Sequence, residues 1–101
     1  MSVVVVTKEN FNEIKTKTST VMLDFYADWC GPCRMVAPTV HEIADERSDV
    51  TVGKINVDND PDLAQAFGVM SIPTIVILKG GEEAARAVGV RTKQQLLDML
   101  G

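Results

Sequence analysis

Residues 21–27 form an almost continuously apolar run, in which Asp24 is the single charged residue. A strand that faces solvent on one side alternates apolar and polar residues, whereas a strand covered on both faces is apolar along its whole length. The run therefore predicts a central strand in a sheet that carries helices on both faces. At 101 residues the chain has room for one such domain and not for two, so we expect a single domain over residues 1–101.

The rest of the chain divides into elements by its hydrophobic periodicity and by its turn and capping residues. Further strands are predicted at residues 3–6 (short and buried), 50–57, 74–78 and 83–88. Helices are predicted after Thr7 as the N-cap, from about 33 to 47 with a kink at Pro38, over 62–67, and after a capping box of Thr92 and Gln95. The order β-α-β-α-β-α-β-β-α makes the first three strands parallel. The Gly80–Gly81 turn makes the last two antiparallel, so we predict an α/β fold with a mixed five-stranded sheet.

Charge and hydropathy narrow the class of partner. The formal net charge is −4 and no run of Lys or Arg occurs, which argues against nucleic acid or an anionic membrane surface as the main partner. No apolar segment approaches the roughly 20 residues of a membrane-spanning helix. Residues 3–6 have neither the basic flank nor the cleavage pattern of a signal peptide, so we expect the protein in the cytoplasm.

The two cysteines, Cys30 and Cys33, are two residues apart at a predicted strand-to-helix junction. A disulfide across so short a loop adds little stability, since its entropic effect grows with loop length. A zinc site usually needs four ligands, and beyond this pair the chain offers only His41, which we interpret as a surface residue. A pair of ordinary free thiols is the remaining alternative. A C-x-x-C motif beside a β-α-β pattern instead indicates a redox-active pair.

The position of the pair predicts unequal roles for the two sulfurs. Cys30 precedes the first turn of a helix, where unpaired N–H groups and the helix dipole favour the thiolate that acts as nucleophile. Cys33 lies one turn further on, so we expect it to be less exposed and to attack the mixed disulfide that Cys30 forms with a substrate. Gly31 and Pro32 keep the loop tight, and Pro32 suits the first helical turn.

Three residues outside the motif remain open to two interpretations each. Asp24, if buried, has a raised pKa and can carry a proton near neutral pH, or it is a partly exposed strand-end residue bonded to nearby backbone. Lys54 either offsets the charge of Asp24 or faces solvent. Pro73 opens a strand, and its peptide bond is trans by default, because cis bonds before proline are about one in twenty.

Residues 24–35, which include Trp29-Cys30-Gly31-Pro32-Cys33, resemble the active-site stretch of the thioredoxin family. The likeness continues through Lys54-Ile55-Asn56-Val57-Asp58, Ile72-Pro73-Thr74 and Val88-Gly89 and covers nearly the whole chain. The resemblance implies that Asp24 assists proton transfer at Cys33 with Lys54 near it, and that Pro73 is cis and packs against the cysteines. It also implies an apolar docking surface of Trp29, Gly31, Pro32, Val57, Ile72, Val88, Gly89 and Val90, on which the Ile72 backbone pairs with an extended substrate segment.

The same resemblance implies a general protein-disulfide reductase that is monomeric, holds no metal or cofactor, and draws on NADPH through a thioredoxin reductase. Expected substrates are disulfide-containing proteins such as ribonucleotide reductase, peroxiredoxins and methionine sulfoxide reductases. Tyr26 stands where many bacterial members of the family have Trp, and Arg34 stands where Lys is frequent. Both keep the chemical type, aromatic and basic, so they bear on which partners are preferred. The rival hypotheses are an oxidant or isomerase on the same scaffold, a binding subunit, and a metal module.

Overall fold

A computed structural model describes residues 3–101. The elements follow the predicted order and form a five-stranded mixed sheet with strand order β1-β3-β2-β4-β5. Their bounds are β1 Val4–Val5, α1 Phe11–Ile14, β2 Thr20–Tyr26, α2 Gly31–Glu46, β3 Val50–Asn56, α3 Pro61–Ala66, β4 Thr74–Lys79, β5 Glu82–Val88 and α4 Lys93–Leu100.

Strand β2 lies at the centre of the sheet, parallel to β3 on one side and antiparallel to β4 on the other. Its side chains alternate between the two faces, and the residues from Val21 to Phe25 are all buried. The register pairs Leu23 with Gly53 and Asp24 with Lys54. The continuous apolar run is thus explained by helices that cover both faces, as predicted.

Two clusters of buried side chains fill the spaces between the sheet and its helices. One cluster joins Met22 of β2 to Val36 and Ile43 of α2 and to Leu96 of α4. The other lies on the opposite face, where Phe25 packs with residues of α1 and α3. In the part of the chain that the structure describes, no helix has the length and apolar character needed to cross a membrane.

Turn and capping residues in the sequence predicted two features correctly. The β4–β5 hairpin turns through Gly80 and Gly81, with φ of 61° and 84°, the positive values that a two-residue hairpin turn requires. At the start of α4, the Thr92 side chain accepts a hydrogen bond from the backbone N–H of Gln95, and the Gln95 side chain accepts one from the backbone N–H of Thr92. This is the predicted capping box.

The N-terminal prediction was wrong in two respects. Strand β1 has two residues, and its Val5 is 57% exposed, because β1 is an edge strand rather than a buried one. Thr7 does not cap α1. The N-cap is Asn10, whose side-chain oxygen instead accepts a hydrogen bond from the backbone N–H of Thr7.

Candidate active site

Cys30 and Cys33 form a disulfide at the N-terminus of α2, with their Cα atoms 5.3 Å apart. Cys30 is the N-cap residue, and its sulfur accepts a hydrogen bond of 3.2 Å from the backbone N–H of Cys33. Pro32 occupies the first turn of the helix, where its missing N–H leaves no intrahelical bond unmade. The pair therefore lies where the free N–H groups of a helix favour negative charge on sulfur.

The expected difference in exposure between the two cysteines is absent from this disulfide-bonded structure. Cys30 is 4% exposed and Cys33 is 3% exposed. Cys30 is covered because the segment before β4 lies against it, with the carbonyl oxygen of Ile72 3.8 Å from its sulfur. The two residues differ instead in their surroundings, because Cys33 lines a cavity and Cys30 lies beside Ile72.

A cavity of about 180 Å³ lies between β2, β3 and α2. Cys33 and the buried Asp24 line it together with Tyr26, Lys54 and His41. The sequence predicts a surface position for His41. It is exposed, yet it also lines this cavity. His41 and Cys33 share a helix face, but the cavity depends on how α2 packs over the sheet, which local pattern does not reveal.

Asp24 is a buried carboxyl group, 5% exposed. Its Oδ1 atom has no hydrogen-bond partner among the described residues. Burial raises the pKa of Asp24 to about 7, and the positive charge of Lys54 acts in the opposite direction. The Lys54 ammonium lies 5.7 Å from the centroid of the Tyr26 ring. A carboxyl group with this pKa can gain or lose a proton near neutral pH.

The Ile72–Pro73 peptide bond is cis. Pro73 is buried, and its carbonyl oxygen accepts a hydrogen bond of 2.8 Å from the N–H of Gly89. This bond ties the segment after β5 to the residues that cover Cys30. The flanking Val88 and Val90 are 49% and 42% exposed.

An open groove is lined in part by Ile72, the residue that lies against Cys30. Trp29, Val57, Met70 and Ile72 line it, with Ala64, Val69 and Ser71. Trp29 is 69% exposed and Met70 is 93% exposed. The indole N–H of Trp29 donates a hydrogen bond of 2.8 Å to Asp58. Neither Met70 nor Asp58 is among the site residues predicted from the sequence, although both lie within two residues of predicted positions.

Metal ligands are not gathered at the cysteine pair. Within residues 3–101, no three His, Cys, Asp or Glu side chains come close enough together to hold a metal ion. The polar groups that line the cavity with Cys33 include a lysine and a carboxyl group whose Oδ1 atom has no hydrogen-bond partner among the described residues. Sulfur exchange and proton transfer are the chemistry that these residues can support.

Comparisons with known proteins agree with this geometry. The thioredoxin family model matches residues 2–101. The chain is 43% identical to a thioredoxin from Chlamydia caviae, over 95% of this chain and 93% of that protein. It is 45% identical to a thioredoxin from Alicyclobacillus acidocaldarius, over 89% and 87%.

One relative and one solved structure add detail. A bifunctional thioredoxin reductase/thioredoxin from Mycobacterium leprae is 46% identical over 86% of this chain and 19% of that protein. The structure of a mutant thioredoxin from Halobacterium salinarum superposes with a TM-score of 0.92 at 37% identity, covering 98% of this chain and 88% of that chain. The chain therefore belongs to the thioredoxin family, and it is a thiol–disulfide oxidoreductase whose redox pair is Cys30 and Cys33.

Proposed function

We propose that this thioredoxin-family oxidoreductase is a general protein-disulfide reductase that works through a mixed disulfide with its substrate. One observation carries the proposal: Cys33 lines a cavity that also contains the buried carboxyl group of Asp24, and Cys30 lies beside Ile72, which lines an exposed apolar groove. The groove offers a surface for a protein substrate. The cavity offers a proton acceptor.

In the first step the Cys30 thiolate attacks one sulfur of a substrate disulfide. A bond forms between Cys30 and that sulfur, the substrate S–S bond breaks, and the other substrate sulfur leaves as a thiolate. The N–H of Cys33, which donates to the Cys30 sulfur in the disulfide, supports this role because the same donor stabilises the thiolate after reduction.

In the second step Cys33 attacks the Cys30 sulfur of the mixed disulfide and releases the second substrate sulfur. Cys33 must lose its proton to attack. Asp24 is our proposed acceptor, because it lines the same cavity and has a pKa of about 7. Lys54 lines the cavity as well and favours the ionised form of Asp24. The products are a substrate dithiol and the Cys30–Cys33 disulfide.

Substrate docking is proposed along the groove and the loops that adjoin it. An extended substrate segment would pair with the backbone of Ile72, as an added strand does, close to the Cys30 sulfur. Apolar side chains around that position would contact the segment and exclude water. This surface comprises Trp29, Gly31, Pro32, Val57, Ile72, Pro73, Val88, Gly89 and Val90.

Regeneration of the dithiol is assigned to a thioredoxin reductase that uses NADPH, so that the chain itself needs no bound cofactor. Support comes from the Mycobacterium leprae relative, whose name joins a thioredoxin reductase to a thioredoxin in one protein. We further propose that residues 1–101 act as a single-domain monomer in the cytoplasm, with disulfide-containing proteins as substrates.

Reduction of insulin disulfides with thioredoxin reductase and NADPH tests the proposal. The wild-type protein should turn over many times, Cys30→Ser should not react, and Cys33→Ser should stop as a mixed disulfide through Cys30 that mass spectrometry detects. Absence of turnover by the wild-type protein would overturn the reductase assignment. A redox equilibrium with glutathione as oxidising as that of oxidant relatives would overturn it too.

A further inference from the structure

Three side chains of the cavity share one face of the sheet. Asp24 and Tyr26 are two positions apart on β2, so they point to the same side. Lys54 is the register partner of Asp24 on the neighbouring parallel strand β3. All three line the cavity that Cys33 faces.

Two groups in this arrangement can attract the Lys54 ammonium. One is the Asp24 carboxylate and the other is the face of the Tyr26 ring, whose quadrupole attracts cations. The ammonium lies 5.7 Å from the ring centroid. The Oδ1 atom of Asp24 has no hydrogen-bond partner among the described residues, and Lys54 acts on this carboxyl group through charge rather than through a hydrogen bond. The ammonium is thus within cation–π distance of the ring and makes no hydrogen bond to the Oδ1 atom of Asp24.

We propose that Tyr26 is a positioning residue that keeps the Lys54 ammonium over its ring and away from a direct ion pair with Asp24. The catalytic consequence rests on the proposed function, in which Asp24 accepts the proton of Cys33. An ion pair would stabilise the carboxylate and make it a weaker base. By holding the cation at a distance, Tyr26 preserves a carboxyl group that takes up a proton near neutral pH.

Other charged groups surround the cavity, and substitutions at positions 26 and 54 leave them unchanged. Arg34 and His41 reach it from α2, and Asp28 from the loop after β2. On β4 the register partner of Asp24 is the uncharged Ile75. Differences among variants at positions 26 and 54 therefore report on the ring and the ammonium.

The test is an NMR titration of the Asp24 side-chain carboxyl carbon in the oxidised protein, in wild type and four variants. Tyr26→Leu should lower the pKa of Asp24, because the ammonium can then approach the carboxylate. The expected decrease is about 0.5 to 1, which is the free energy of a cation–π contact converted to a pKa shift. Tyr26→Phe keeps the ring and should restore the wild-type value. Lys54→Met should raise the pKa.

The double variant separates the ring's effect on the cation from its effect on burial. In the Lys54→Met background, Tyr26→Leu should no longer lower the pKa of Asp24. An equal decrease with and without Lys54 would overturn the proposal, because the ring would then act by excluding water. A decrease in Tyr26→Phe as large as that in Tyr26→Leu would also overturn it, since the hydroxyl would then be responsible. Unfolding curves verify that each variant is folded.

The titration requires no catalysis, so its failure and the failure of the proposed function are distinguishable. If Asp24 is the proton acceptor, the pH profile of insulin reduction by Tyr26→Leu should move to lower pH by the same amount as the pKa. If the pKa decreases while the profile stays in place, the role of Tyr26 stands and the assignment of Asp24 as proton acceptor is wrong.

Discussion

Two consecutive register pairs between β2 and β3 lie in opposite environments. Leu23 and Gly53 face the tightly packed side of the sheet, where a Cβ added to Gly53 would lie 2.5 Å from the Cγ2 atom of Val6. Asp24 and Lys54, the next pair along the strands, face a cavity of about 180 Å³. One step along the same two strands therefore separates a site without room for a methyl group from a site with room for several waters.

The difference shows how a small domain combines stability with chemistry. Side chains alternate across a strand, so a position on one face can be packed tightly while the next position, on the other face, borders a cavity, without a change in the backbone. The packed face supplies apolar burial. The open face holds a carboxyl group that burial makes a weak acid, which costs stability whenever the group is charged.

The largest expected effect is at Asp24, through the pH dependence of stability. The folded-state pKa is about 7, against 3.8 for the unperturbed group. Below about pH 4 the group is protonated in both states. As pH rises from about 4 to about 7, the unfolded state ionises first, so the free energy of unfolding falls, in total by about 4 kcal/mol. Asp24→Asn should abolish this fall, as measured by urea unfolding of the oxidised protein.

Asp28→Asn is the matched control, because Asp28 also lines the cavity but is exposed. Its unfolding curve should follow that of the wild type across the same pH range. Parallel stability profiles for wild type and Asp24→Asn would contradict the raised pKa, and with it the contrast between the two faces.

The packed face should respond to a single added methyl group. Gly53→Ala places a Cβ against Val6, which is fully buried. Overpacking of this kind costs about 1 to 3 kcal/mol, more than the gain of under about 1 kcal/mol from replacing glycine in the unfolded chain. We expect a lower free energy of unfolding by urea at every pH.

A double variant tests the steric cause of that loss. Val6→Ala removes the methyl group that the new Cβ would meet, so Gly53→Ala should cost less in that background. An unchanged cost would mean that the packed face is not limited by Val6.

The sequence predicted most of the fold because its strongest signals are local. The apolar run of β2, the Gly80–Gly81 turn and the capping box of Thr92 each specify their own element. The prediction failed where the outcome depends on neighbours in space. Four consecutive valines indicate a strand, but they do not show that β1 is a two-residue edge strand with Val5 exposed.

The site followed the same rule. Position alone left open whether Asp24 is buried, whereas Cys30 and Cys33 could be selected from their motif at a predicted helix start. The burial of Cys30 could not be predicted, because Ile72, which lies against it, is 42 positions away in the sequence. The cavity that includes His41 depends in the same way on how α2 packs over two strands.

Lys54→Met should change the pH dependence of the free energy of unfolding less than Asp24→Asn does. Its effect should arise at the cavity that Asp24 and Lys54 line. The lysine charge lowers the pKa of Asp24, so its removal should raise that pKa above about 7. The pH-dependent fall in stability then extends to higher pH, by an amount on the order of 1 kcal/mol for a partly solvated charge pair. Urea unfolding at about pH 6 and about pH 9 measures it, and Lys17→Met, an exposed lysine, should leave the profile unchanged. A lysine that merely faces solvent would behave like this control.

The smallest expected effect tests whether the pH dependence of stability belongs to the cavity or to the whole face of the sheet on which the cavity lies. Helix α4 packs on the same side of the sheet, through Leu96 and Leu100, but Thr92 caps it outside the cavity. Thr92→Ala removes the acceptor of the Gln95 N–H and should lower the free energy of unfolding by about 1 kcal/mol. Because no buried titrating group is involved, the loss should be the same at about pH 4 and about pH 8. A loss that grew with pH would mean that the pH dependence belongs to the whole helical layer, whereas a constant loss restricts it to Asp24 and its cavity.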